Sequence, residues 1–212
     1  MISHHSPSTA LALLLLFLPF CFTSPYPYLS RRDDCSLSPG GCGCTNTSFS
    51  AWAWSLSDIY FHSSVIFSTP AHQIDGGWVS FSLTHPAVAG VSFDCEASST
   101  QLHDWFYGDQ YYVCTGKADG EGGEAVNQTT AHFRYDRVTG RVDVNQTWVC
   151  RDQDPVYPIY FKAFGSANVS LSCNETKWQN TNWTLGQIYS TDLVECAKAN
   201  LTVKPSEISA VS

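Results

Sequence analysis

Residues 131–150 (AHFRYDRVTGRVDVNQTWVC) carry the clearest hydrophobic alternation in the chain. Phe133 and Tyr135 fall in one phase, and His132, Arg134 and Asp136 in the other. Beyond Thr139-Gly140, Val142, Val144, Trp148 and Cys150 share a face, with Arg141, Asp143, Asn145 and Thr147 on its opposite. A period of two, broken at a glycine-bearing bend, predicts two half-buried strands joined by a short loop. Asn145-Gln146-Thr147 is an N-glycosylation acceptor on the polar phase, and a glycan must point into water. Two independent signals therefore agree on the outer side.

The same period recurs along the chain. Residues 51–61 (AWAWSLSDIYF) place Trp52, Trp54 and Leu56 in phase, and residues 63–68 (SSVIFS) form a second apolar run. Gly76-Gly77 precedes residues 78–84 (WVSFSLT), where Val79, Phe81 and Leu83 alternate with Ser and Thr. Residues 91–95 (VSFDC) put Val91, Phe93 and Cys95 inward. Residues 101–107 (QLHDWFY) read as a loop or helical turn, and residues 110–114 (QYYVC) as a strand. Residues 117–127 are an acidic, Gly-rich surface loop. Residues 159–165 and 167–173 read as a strand pair around Gly165-Ser166, followed by a polar loop at 177–184 and last strands up to residue 203. No helical periodicity reaches twelve residues. The pattern predicts an all-β fold, a single compact antiparallel β-barrel or sandwich of about ten strands with disulfides.

The first residues change the picture of where this domain resides. Residues 10–22 (ALALLLLFLPFCF) are too short to span a bilayer and read as the core of a secretory signal peptide over 1–24. Arg31-Arg32 offers a further processing site. A cysteine-bearing arm at 33–50, a β domain at 51–203 and a polar tail at 204–212 complete the expected organisation. The 180 residues after Arg32 carry nine basic against nineteen acidic side chains. That balance argues against nucleic acid and anionic membranes as partners.

Eight cysteines remain after the leader: Cys35, Cys42, Cys44, Cys95, Cys114, Cys150, Cys173 and Cys196. An even count behind a signal peptide implies disulfides, and no CxxC pair points to zinc. Strand order favours Cys95–Cys114 and Cys150–Cys173, each joining consecutive strands. Cys42 and Cys44 are too close to bridge easily, so an N-terminal cysteine should reach Cys196. Seven sequons, at Asn46, Asn127, Asn145, Asn168, Asn174, Asn182 and Asn200, favour a glycosylated secreted protein.

Several blocks resemble a fungal secreted family typified by the major allergen of Alternaria. They are WSLSDIYFHSSVIFSTPAHQ, SFSLTHPAVAGVSFDCEASSTQL, YYVCTG, FRYDRVTGRVDVNQTWVC and VSLSCN, over residues 51–174. The resemblance implies a compact β-barrel with disulfides at Cys95/Cys114 and Cys150/Cys173, and secretion or wall association. Some members act as allergens or as effectors toward plant hosts. The typical member dimerises through an N-terminal cysteine; here Cys35, Cys42 and Cys44 stand in the arm and Cys196 lies downstream. No catalytic motif is carried over.

The search for chemistry yields little. A glycosidase needs two placed carboxylates. Glu121 and Glu124 sit in the Gly-rich loop, Asp94, Asp104 and Glu175 are dispersed, and Glu96 at a strand end is the one to watch. His62, His72, His85, His103 and His132 show no ligand spacing, so no metal and no cofactor is assigned. Trp52, Trp54 and Trp148 read as core, while Trp105, Trp178 and Trp183 in loops are the candidate ligand contacts. The expectation is a secreted interaction protein without catalytic activity, its partner a host protein, a cell-wall component or a small apolar ligand. The alternative is a carbohydrate-active enzyme or carbohydrate-binding protein.

Overall fold

The computed structural model describes residues 43–118 and 126–212. The signal peptide, Arg31-Arg32, Cys35, Cys42, Glu121 and Glu124 lie outside the described residues. The fold is all-β and antiparallel. Strands β1 (Trp54–Thr69) and β2 (His72–Thr84) form a long hairpin that β3 (Val91–Ser99) and β4 (Tyr112–Ala118) extend. Next come β5 (Thr130–Asp136), β6 (Arg141–Cys150) and β7 (Ile159–Asn168), each paired with its predecessor. The chain then crosses to the far edge of β1. There β9 (Ser190–Cys196) pairs with one half of β1 and with β8 (Cys173–Gln179), while β10 (Ala199–Val203) pairs with the other half. Finally β11 (Pro205–Val211) pairs with β7. The strand order is β11-β7-β6-β5-β4-β3-β2-β1-β9-β8, and the sheet does not close into a barrel. Only Lys204 separates β10 from β11, so one segment serves both β1 and β7.

The predicted inward phases form much of the core: Trp54, Leu56, Leu83, Phe93, Phe133, Val144 and Trp148 are all buried, and Phe161 joins them. Phe61, out of phase with Trp54 and Leu56, is also buried because the register of β1 shifts between Leu56 and Ile59. Gln146 shares the inward phase of β6 and is buried, because its Oε1 accepts the Trp54 indole N–H at 2.5 Å. On the outer phase Asp143 is buried rather than exposed. Arg134 Nε and Arg141 Nε each donate to one of its oxygens at 2.7 Å, and the two guanidiniums cover it.

Several local expectations are corrected. Gly165-Ser166 is no turn: both lie inside β7, and the strand expected at 167–173 is β7 ending at Asn168 followed by irregular chain. Gly165 is needed for approach, since a Cβ there would come 2.5 Å from the Lys204 carbonyl and 2.8 Å from the Trp54 ring. Gly76-Gly77 likewise lies within β2. Residues 205–211, expected as a polar tail, are β11. The arm contributes a short helix, α1 (Cys44–Phe49), whose first turn is held by Asp152 accepting from the Thr45 N–H and hydroxyl.

The cysteines follow the topology. Cys95 bonds Cys114 directly across β3 and β4. Cys150 is bonded to Cys44 and Cys173 to Cys196, not Cys150 to Cys173. Successive strands do not stay adjacent here: β8 leaves β7 for the edge of β9, where Cys173 stands opposite Cys196. Cys44, the arm cysteine among the described residues, therefore reaches β6, and Cys196 is taken by Cys173 rather than by the arm.

Candidate functional site

The segment between β3 and β4 folds back over the turn joining β5 and β6. Gly108 N–H donates to the Tyr135 carbonyl and Arg137 N–H to the Phe106 carbonyl, each at 3.0 Å. Within this segment two non-glycine residues take the left-handed backbone region, His103 at φ 74° and Trp105 at φ 61°. That conformation is costly for a bulky residue and persists only where the surroundings impose it. The Trp105 ring is buried over Gly77, where a Cβ would lie 2.6 Å from the indole Cγ.

Arg137 completes the arrangement. Its guanidinium lies 4.8 Å from the Phe61 ring centre and 5.4 Å from that of Trp105, with Asp104 at 3.4 Å. Two open cavities meet at this side chain. One, of about 450 Å³, is bounded by Phe61, Tyr135, Val169 and Leu171. The other, of about 360 Å³, is bounded by Gln73, Asp75, His103, Trp105, Glu175 and Asp192. Burial pushes the Tyr135 phenol up to about 12, so it stays a neutral donor. Trp105 Nε1, Arg137 Nε and one oxygen of Asp192 have no partner among the described residues. Lys177 Nζ lies 2.8 Å from Glu175 and 2.9 Å from Asp192. Its pKa rises to about 12, first through the hydrogen bond to Glu175 and then through that to Asp192.

Of the three loop tryptophans, only Trp105 enters this mouth. Trp178 belongs to β8, not a loop, and alternation puts it on the face opposite Glu175. Trp183 donates its indole N–H to the Gln187 carbonyl and packs edge-on against Tyr189. Glu96 lies on the outer face in a shallow groove of about 440 Å³ beside Tyr60, His62 and Trp78. Asp94 pairs with Lys117 and Asp104 with Arg137. The histidines are dispersed: His85 is buried, His62 stacks on Trp78 and His72 bonds Ser68. Cys44, Cys150 and Asp152 lie close together, but the pair is a disulfide and the acid holds α1. Six of the seven sequon asparagines are exposed and Asn145 is half-buried.

Gln73, Asp75, Arg137 and Asp192 were not visible as a group in the sequence. They come from three segments, β2, the turn after β5 and β9, and the crossing of the chain to the edge of β1 brings β9 to the other two. The available signal was phase, because Asp75 and Asp192 occupy inward positions of strands where an apolar residue is the rule.

An antiparallel, disulfide-stapled sheet with an open mouth at one end defines an all-β class of fold. Residues 56–196 match the model of the family described as Alternaria alternata allergen 1. The chain belongs to that family. No curated protein and no solved structure matches it.

Proposed function

We propose that the chain is a secreted, glycosylated binding protein without catalytic activity, with the mouth around Arg137 as its ligand site. The observation that carries this reading is the left-handed backbone at His103 and Trp105, which presents both side chains to the same cavity. Stored strain of this kind clusters at ligand sites. Aromatic walls and unpaired donors and acceptors fit a ligand with an apolar face and hydroxyl groups, such as a wall component, better than a purely apolar molecule. Accessible sequons, the three disulfides among the described residues and family membership support secretion.

The alternative, a carbohydrate-active enzyme, draws on Glu175 and Asp192 beside Trp105 in the mouth. Against it, both carboxylates are already engaged by the Lys177 ammonium, at 2.8 Å and 2.9 Å. A glycan array and a wall-polysaccharide panel, read by thermal shift, separate the two. Binding should raise the melting temperature of the wild type but not of Arg137→Ala. Release of reducing ends that Glu175→Gln abolishes would establish the enzyme instead. Absence of any shift would remove the mouth as a carbohydrate site.

A further inference from the structure

Register divides the outer side of β8, β9, β1 and β2 into cross-strand rows. Trp178, Thr191, Ile66 and Ile74 pair in one row, and Thr176, Leu193, Ser64 and Gly76 in the next. Asn174, Glu195, His62 and Trp78 form a third. Their neighbours of opposite phase, among them Val65, Asp75 and Glu175, line the mouth, which fixes these rows as the outer side. Ile74 is 63 % exposed, Trp178 51 %, Leu193 43 % and Trp78 39 %. The first two rows contain no charge in a chain of net charge −8. Glu195 in the third is tied down by the Tyr60 hydroxyl at 3.0 Å. Single exposed apolar residues are ordinary, but these adjoin one another across four strands, and β8 is an exposed edge. An uncovered apolar face on a sheet edge invites association.

The sequon at Asn174 lies on this face. Asn174 and Thr176, the two residues that define it, occupy the third and second rows, and no other sequon is paired into them. Trp178 follows four residues later on the same strand, about 13 Å along it. We propose that an N-linked glycan on Asn174 folds back over this face and covers the apolar end of the sheet. The C–H faces of its N-acetylglucosamine rings pack against Leu193 and Trp178, and its hydroxyls point to water. The same glycan stands beside the free edge of β8 and obstructs addition of a further strand there. The inference rests on the reading of the chain as secreted.

The test uses the full chain secreted from a eukaryotic host, with site occupancy read by mass spectrometry. Hydrophobic-dye binding and sedimentation are compared for wild type, Asn174→Gln, Thr176→Ala and Asn46→Gln. Folded wild type trimmed by endoglycosidase to a single sugar is measured alongside, so the result does not depend on a variant folding. Asn174 should be occupied. Its loss by either substitution, or trimming, should raise dye fluorescence several-fold and produce concentration-dependent association, while Asn46→Gln should behave as wild type. Adding Trp178→Ser to Asn174→Gln should reverse most of the gain. Unchanged dye binding after trimming, or an empty Asn174 beside other occupied sequons, would overturn the proposal alone. A chain with no occupied sequon would overturn the secreted reading with it.

Discussion

His85 shows at the scale of one residue what composition cannot. Its ring sits 4.1 Å from Trp52 and 4.5 Å from Trp148, centre to centre, and neither nitrogen has a partner among the described residues. Burial lowers its pKa from the ordinary 6.5 to about 3. Between those values the unfolded chain binds a proton that the folded chain refuses. The stability contribution is thus complete above pH 6.5 and lost as pH falls toward 3, by about 1.4 kcal/mol per pH unit. Urea titrations from pH 7 to 4 should show this slope in the wild type and its loss in His85→Phe. An equal slope in both would place the acid sensitivity elsewhere. Beyond the leader His85 is one of five scattered histidines in the sequence, and nothing nearby marks the cage of Trp52, Trp54 and Trp148 that two distant segments build around it.

Strands were the most legible elements, because a period of two states which residues face inward before any partner is known. The hairpin of β5 and β6 has its predicted phases and turn. Neighbourhood was less legible, and the disulfides record the difference. Cys95–Cys114 joins consecutive strands and could be read from order, whereas Cys44–Cys150 and Cys173–Cys196 depend on where the helix and β8 land. Glycines misled for a related reason. A strand glycine that makes room for an indole or a neighbouring backbone looks in the sequence like a turn, and Gly77 and Gly165 are both of that kind. The two non-consecutive bonds should differ in worth. In the chain-entropy model the 106-residue separation of Cys44–Cys150 corresponds to a loss of about 5 kcal/mol on removal, and the 23-residue separation of Cys173–Cys196 to about 3 kcal/mol. Denaturant unfolding of the paired serine variants checks the order. A larger loss at Cys173–Cys196 would show that native packing at the β8 edge, not loop entropy, sets its value.

For the whole molecule, the segment that forms β10 and β11 matters most. It lies along β1 on one side of Lys204 and along β7 on the other, so both strands have partners that their hairpin neighbours do not supply. Ending the chain after Lys204 should leave β7 unpaired on its outer edge. Amide exchange at residues 160–165 should then quicken, and the shortened protein should associate at concentrations where the full chain does not. Unchanged exchange there would show that β11 is an ornament of the sheet. The same arrangement bears on synthesis. The segment that finishes both strands is the last of the described elements to leave the ribosome, so the edges of β1 and β7 that it covers stay without that partner until it emerges. A nascent chain of this kind has most need of a chaperone, or of a bulky sugar at an exposed edge, during its final moments of assembly.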